Sequence, residues 1–312
     1  MFGLLKRPAD ARGRIGLAIN RDQIALAVVT RDGKSAVLER CEVLAVDPAG
    51  DAEAVYAALR AAGLPRLPAS VVMQSEDYKL AMVEVPDVPP AELRAAMRWR
   101  LKDAIDFRVE EAIIDVFEVP ARNRGGTGRM MYAVAARRSA VERYAAALTS
   151  VPSFDVIDVP ELCLRNLAAG LPGAAGGIAI LHFGDAGATM VLVRGSTFYF
   201  ARQMDFETIQ RGAASPNADS QLDTTGIVLE LQRSLDYYES HFDQPPITKI
   251  AVSPGGSRAD ALVAALKRDT SFEVHALDLN SMLNLATPVE PEIQSACVMA
   301  VGAAMRVEHR SL

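Results

Sequence analysis

The sequence predicts an α/β protein built from two lobes, and three observations support that prediction. The chain has 312 residues, which is long enough for two domains that each bury a core. Three β-rich segments open the chain, and a second run of the same kind begins at Ile178. Between the two runs, residues 78–120 pass through strand, helix and strand patterns. This middle stretch therefore predicts a small subdomain inserted between the lobes.

Composition and charge exclude several classes of protein. Half of the residues are hydrophobic and 23% are charged, which is typical of a soluble globular protein. The net charge of −6 disfavours nucleic-acid binding, because such proteins are normally basic. The three cysteines are far apart and lack C-x-x-C spacing, so neither a disulfide framework nor a zinc site is indicated. The sequence shows no apolar run near 18 residues and no signal peptide, and we expect a cytoplasmic protein.

The first lobe begins with a β-β-β-α-β pattern. Residues 15–29 predict two strands around a polar turn that starts at Asn20, and residues 36–46 predict a third strand after an Asp-Gly hairpin signal. Residues 52–62 predict a helix that ends at Gly63. Residues 69–74 predict a short buried strand.

The inserted region, residues 77–152, is called the platform below. Its helix is predicted to start near Pro89 and to run for about four turns, because apolar residues recur there every four positions. The apolar stripe is formed by Leu93, Met97, Leu101 and Ile105. An acidic turn and a strand follow, and the glycine-rich loop at 122–129 predicts a hairpin tip, because it lacks the Lys-Ser/Thr of a phosphate-binding loop.

The second lobe repeats the opening design after a Gly- and Pro-rich linker at residues 172–177. Residues 178–192 predict two strands around a turn that contains Gly184, and residues 196–202 predict a third strand. Helices are predicted at 221–242 and 259–267, the second of them after a strand and the Pro254-Gly255-Gly256 turn. A small-residue helix at 293–305 closes the chain and predicts close packing on a sheet.

These features together resemble the actin/hexokinase-like (ribonuclease H-like) ATPase fold. More specifically, the chain resembles the PilM-type proteins of type IV pilus assembly, and within them the MshI proteins of mannose-sensitive haemagglutinin (MSHA) pilus biogenesis. The residues that support this resemblance are MFGLLKR at the start, residues 85–120 with Trp99 and Asp106-Phe107, LELQRSLDYY at 229–238 and SPGG at 253–256.

The resemblance implies a division of the chain into three parts. Residues 1–76 and 153–171 would form the first actin-like subdomain, closed by a helix at 290–307. Residues 77–152 would form the platform. Residues 172–289 would form the second lobe, with a small helical part near 205–244.

The resemblance also places a nucleotide site between the lobes, where two hairpins cradle phosphates and carboxylates organise Mg²⁺. The first hairpin of the fold carries Asp, Gly and a Lys, and these positions fall at Ala18, Asn20 and Ala25. The Asp of the second hairpin falls at His182, whereas Gly184 is retained. Each lost charge-assisted contact removes about 1.5–3 kcal/mol of binding free energy. A micromolar ligand binds with about 8 kcal/mol in total, so the loss of three such contacts removes a large part of it.

We therefore predict a pseudo-ATPase with no catalytic residue, no metal ligand and no required cofactor. No second histidine stands at ligand spacing from His182. Asp185 is nearby in sequence, but a histidine at the end of a strand is more often simply packed, and we expect a packed side chain. A degenerate nucleotide contact stays open, and its candidate residues are Asn20, Gly184, Gly255 and Gly256.

The function implied by the resemblance is that of a scaffold at the inner membrane. It would bind the cytoplasmic tail of a PilN-like bitopic protein in a groove beside the platform and couple that tail to the pilus assembly ATPase. Trp99 lies off the apolar stripe, so it is free to serve either a second packing contact or a partner surface. The candidate partner-binding residues are Trp99, Leu101, Phe107, Val109 and Ile113. A homodimer is compatible with this role, and the alternative is an ATP-binding or weakly active ATPase of pilus or type II secretion assembly.

Overall fold

A computed structural model of the chain describes residues 13–20, 22–32, 35–47, 52–89, 92–120, 130–149, 151, 153–184, 187–205 and 224–307. The N-terminal MFGLLKR segment, the glycine-rich loop at 122–129 and most of the segment before the helix predicted at 221–242 lie outside these ranges. Within them the chain forms three β-sheets with helices packed between and around them.

The strands are β1 (Gly13–Ile19), β2 (Gln23–Asp32), β3 (Ser35–Ala45), β4 (Ala69–Val72), β5 (Tyr78–Glu84), β6 (Ala112–Glu118), β7 (Met130–Arg137), β8 (Phe154–Asp158), β9 (Ile178–Phe183), β10 (Gly187–Arg194), β11 (Thr197–Asp205), β12 (Lys249–Val252), β13 (Glu273–Ala276) and β14 (Asn284–Leu285). The helices are α1 (Ala52–Ala61), α2 (Leu93–Leu101), α3 (Arg138–Ala147), α4 (Pro160–Ala169), α5 (Thr224–Phe242), α6 (Gly256–Asp269), α7 (Leu279–Met282) and α8 (Pro291–Ala304).

The two large sheets share one topology. The first sheet has the order β14-β3-β2-β1-β4-β8, in which β1, β2 and β3 form an antiparallel meander and β4 and β8 run parallel to β1. The second sheet has the order β11-β10-β9-β12-β13, again a meander followed by parallel strands. The duplicated β-β-β pattern expected from the sequence is therefore confirmed.

The closing helix α8 packs tightly between the lobes. A Cβ atom on Gly16 of β1 would lie 1.8 Å from the Ala300 carbonyl oxygen, and one on Gly302 would lie 2.7 Å from the Cys163 carbonyl oxygen. Only glycine at these two positions allows so close an approach of backbones. The small residues of this helix thus serve close packing, as the sequence predicts.

The platform is built on the third sheet, whose order is β5-β7-β6. Helix α2 covers one face of it through Leu93, Met97 and Leu101, which share a core with alternate residues of β6 and β7. The opposite face packs on the second lobe, where the ring centroids of Tyr132 and of Phe198 on β11 are 5.2 Å apart. Helix α3, which also lies within residues 77–152, belongs to the core of the first lobe.

The helix of the platform is shorter than predicted. It spans nine residues from Leu93 to Leu101 and does not include Pro89 or Ile105. A tight turn ends it, in which the Ala104 amide donates to the Leu101 carbonyl at 2.9 Å. Ile105 still packs against the α2 core, but it does so from this turn. The apolar residues that recur every four positions therefore do share one core, as predicted, but the helix ends before the last of them.

Candidate functional site

The first hairpin of the expected nucleotide site is held by its own side chains. The Asn20 amide donates to the Gln23 carbonyl at 2.8 Å, which closes the turn between β1 and β2. Its side-chain Oδ1 accepts a 2.7 Å hydrogen bond from Gln74 Nε2, just beyond the end of β4. Asn20 therefore closes the hairpin turn through its backbone amide and connects the hairpin to Gln74 through its side chain.

The two positions that would carry charge in this hairpin lie in apolar surroundings. Ala18 is packed against the small cluster formed by Val72, Cys163 and Ala303. Ala25 is fully buried in the core that both lobes share. A charged group at the fully buried position of Ala25 would be withdrawn from water, which is costly.

The second hairpin contains a neutral histidine. The Gly184 amide donates to the Gly187 carbonyl at 2.8 Å, and His182 Nδ1 lies 2.7 Å from Ser253 Oγ at the end of β12. Burial lowers the pKa of His182 to about 4, so the ring carries no charge at neutral pH. Among the described residues, no group of three or more His, Cys, Asp or Glu is placed to hold a metal ion.

A cleft of about 560 Å³ opens beside the glycine turn that follows β12. It lies at the carboxyl ends of β12 and β13, which is where ligands bind in open α/β sheets. Gly255 and Gly256 line it, but Asn20 and Gly184 do not. The charged residues among its described lining are Asp260, Asp278 and Glu292. Three carboxylates create a negative potential that opposes the approach of a polyphosphate.

The five residues predicted to bind a partner do not form one surface. Trp99 is 77% exposed on α2, whereas Leu101 is fully buried in the platform core. The assignment of Leu101 to a binding surface is therefore wrong, because the apolar stripe that predicts the helix also places Leu101 inside it. Phe107 and Val109 are half-buried against the same core, and the Arg137 guanidinium lies 4.4 Å over the Phe107 ring.

Ile113 lies on the other side of the platform sheet. Its neighbours Ala112 and Ile114 belong to the core under α2, and successive residues of a strand point to opposite faces. Ile113 is thus separated from Trp99 by the sheet itself. Trp99, Phe107 and Val109 are the candidates that remain on the α2 side.

A buried acid at the junction of the three parts was missed by the sequence reasoning. The side chain of Glu161 on α4 is fully buried. It accepts a 2.7 Å hydrogen bond from the Tyr78 hydroxyl of β5 and a 2.6 Å hydrogen bond from Gln203 Nε2 of β11. Burial raises the pKa of this carboxyl above its ordinary value. A glutamate in the first turn of a helix is also favoured by the helix dipole, so its burial left no signal in the sequence.

None of the helices within the described ranges has both the length and the hydropathy needed to span a membrane. The sequence matches no family model and no curated protein.

Comparison with solved structures identifies the architecture. One similar structure is a PilM-PilN type IV pilus biogenesis complex, with a TM-score of 0.68, 21% identity, and coverage of 95% of this chain and 98% of that chain. Another is a Bacteroides thetaiotaomicron protein of unknown function with an actin-like ATPase fold, with a TM-score of 0.52, 10% identity, and coverage of 95% and 99%. The likeness spans both lobes and the platform, and the chain has the actin-like ATPase fold.

Proposed function

We propose that this chain is a cytoplasmic scaffold of a type IV pilus assembly platform of the MSHA type, peripheral to the inner membrane. It binds the cytoplasmic tail of a PilN-like bitopic protein and couples that tail to the pilus assembly ATPase. The observation that carries the proposal is the likeness to the PilM-PilN complex, which extends over 95% of this chain.

The exposed face of α2 supports a docking role for the platform. Trp99 is 77% exposed, more than the exposed hydrophobic residues Leu229 at 45% and Val307 at 47%. Tryptophan is enriched in the energetic centres of protein interfaces, where a partner removes it from water. The exposed ring thus provides an apolar anchor for an incoming peptide.

Charge contributes less to this surface than the acidic turn after α2 suggests. The carboxylate oxygens of Asp106 lie 3.7 Å from Lys79 Nζ and 3.7 Å from Arg137 Nη2. The guanidinium of Arg108 lies within 4 Å of the carboxylates of Glu110 and Glu111. These carboxylates already have cationic neighbours, so a basic tail gains little by approaching them. We therefore assign the main part of the binding energy to apolar contacts around Trp99.

The proposal includes the loss of ATP hydrolysis. Apolar packing of Ala18 and Ala25, a neutral His182 and the carboxylates around the Gly255-Gly256 cleft all disfavour a magnesium-bound triphosphate. The second candidate function is an ATP-binding or weakly active ATPase, and the open cleft beside Gly255 is the observation that favours it. A measurement of magnesium-dependent phosphate release from ATP separates the two, because the scaffold alone gives no turnover.

The decisive experiment is a titration of the full chain with the cytoplasmic tail peptide of the neighbouring bitopic pilus protein. Trp99→Ala is expected to weaken binding about thirtyfold, equivalent to about 2 kcal/mol for an interface hot spot. Leu229→Ala is the matched control, because it removes an exposed hydrophobic side chain from α5. Absence of binding to the unmodified chain would refute the scaffold, and equal affinities of Trp99→Ala and wild type would exclude the α2 face.

A further inference from the structure

A second cleft, of about 460 Å³, lies at the ends of β2 and β10 that are opposite to the two nucleotide hairpin turns. It is formed where the ends of β2, α4 and α8 meet the turn between β10 and β11. Its volume falls within the range of small-molecule sites.

Two guanidinium groups and no carboxylate line this cleft. Arg31 comes from β2 and Arg165 from α4, and the described lining contains no Asp or Glu. Arg165 Nε and Nη2 both donate to Asn166 Oδ1, at 3.2 Å and 2.7 Å. Arg31 Nη2 donates to the Met305 carbonyl at 2.7 Å. Within the described residues, both cations are therefore bonded to neutral oxygens only.

The nearby acid is already engaged. Asp158 acts electrostatically on Arg165, but its Oδ2 forms a 2.7 Å ion pair with Arg306 and its Oδ1 accepts from the Val159 amide at 3.0 Å. Burial lowers the pKa of Arg165, which reflects the cost of holding this cation away from water. Among the described residues neither half-buried cation has an ion-pair partner, and an anion that enters the cleft would stabilise both.

We propose that this cleft binds the phosphate group of a small anionic molecule or of a lipid headgroup. A guanidinium has five N–H donors, so, counting bonds to the described residues, three remain on Arg165 and four on Arg31. Guanidinium groups bind phosphate through two parallel hydrogen bonds, which a single ammonium group does not offer. Met282, Leu283 and Met305 line the same cleft and provide an apolar wall for the rest of the ligand.

The test is calorimetric titration of the full chain with inorganic pyrophosphate at constant ionic strength. Saturable binding is expected, and Arg31→Gln should weaken it about tenfold, equivalent to about 1.4 kcal/mol. Arg268→Gln is the matched control, because Arg268 is exposed and pairs with Asp269 on α6. No saturable heat from the wild type, or an equal loss in the control, would overturn the site. Arg31 is only partly buried, so we expect its substitution to leave the fold intact, and a loss of binding can then be assigned to the site.

A second arm identifies the source of the phosphate. The wild type and Arg31→Gln are sedimented with vesicles of phosphatidylglycerol and with vesicles of phosphatidylcholine alone. Retention on phosphatidylglycerol that Arg31→Gln abolishes supports a lipid headgroup. Pyrophosphate binding without retention on either vesicle supports a soluble ligand, and the absence of both refutes the proposal.

Discussion

The Tyr78 hydroxyl donates a 2.7 Å hydrogen bond to Glu161 Oε2 where the platform, α4 and the second lobe meet. Gln203 of β11 donates to the other carboxylate oxygen, and the glutamate side chain is fully buried. The first strand of the platform is thus connected through one acid to both lobes. Both hydrogen-bond donors to this acid are neutral, and burial raises its pKa.

Stability should depend on pH through this acid. Its pKa in the folded state lies above the ordinary value of 4.5, so the folded state binds the proton more tightly than the unfolded state. The resulting stabilisation is complete below pH 4.5 and is lost as the pH rises through the folded-state pKa. We expect the free energy of unfolding of the wild type, measured relative to Glu161→Gln by urea denaturation, to fall as the pH is raised above 4.5. Glu76→Gln removes an exposed carboxylate and serves as the control; parallel curves for wild type and Glu161→Gln would contradict the assignment.

The contact between β1 and α8 predicts a strong effect of one methyl group. Gly16→Ala would place a Cβ 1.8 Å from the Ala300 carbonyl oxygen, so the helix or the strand must shift. Overpacking of this kind costs about 1–3 kcal/mol or more of unfolding free energy. Gly176→Ala is the control, since a Cβ there meets no atom within 4 Å. Thermal denaturation should show a large fall in melting temperature for Gly16→Ala and none for Gly176→Ala. Similar melting temperatures of the two variants would show that the helix packs less closely.

Trp99 provides a spectroscopic test, because it is the single tryptophan of the chain. Its emission in the free protein should resemble that of a solvated indole, since the ring is 77% exposed. Saturation with the partner tail peptide should shift the emission to shorter wavelength as the ring leaves water. Unchanged emission in the presence of calorimetrically bound peptide would show that the tail docks elsewhere. Trp99→Ala should change the free energy of unfolding by less than about 0.5 kcal/mol, as expected for a surface residue.

The degenerate nucleotide site between the lobes should not bind magnesium and ATP. A ligand present at 1,000 times its dissociation constant stabilises a folded protein by about 4.1 kcal/mol. Millimolar Mg-ATP would therefore raise the melting temperature by several degrees if it bound with micromolar affinity. The measurement uses Arg31→Gln, in which the second cleft no longer contributes phosphate binding, and we expect no such shift in differential scanning fluorimetry and no release of phosphate. A magnesium-dependent shift would favour the alternative ATPase function.

Much of the fold could be predicted from the sequence because its signals are local. The two meanders are marked by apolar runs and turn residues, and the small residues of α8 indicate close packing before any partner is known. The end of α2 was misplaced because a turn after Leu101 brings Ile105 onto the same core, which mimics a longer helix.

The candidate site was harder to predict because it depends on contacts between distant parts of the chain. Leu101 and Ile113 were assigned to a surface by their apolar character, but one lies inside the platform and the other across its sheet. Glu161 meets Tyr78 and Gln203, which are 83 and 42 positions away. No periodicity within a single element encodes such contacts. The cleft between Arg31 and Arg165 depends on long-range packing in the same way.

The back of the platform sheet has a mechanical consequence. Phe117 and Tyr132 pack with Phe198, and the Tyr132 hydroxyl accepts a 3.1 Å hydrogen bond from the Ala201 amide of β11. A pulling force on the platform is therefore carried by two sets of contacts. One set leads to the second lobe directly, and the other leads to α4 through the hydrogen bond between Tyr78 and Glu161. A tether attached at α2 would therefore transmit its pull to both lobes through these contacts.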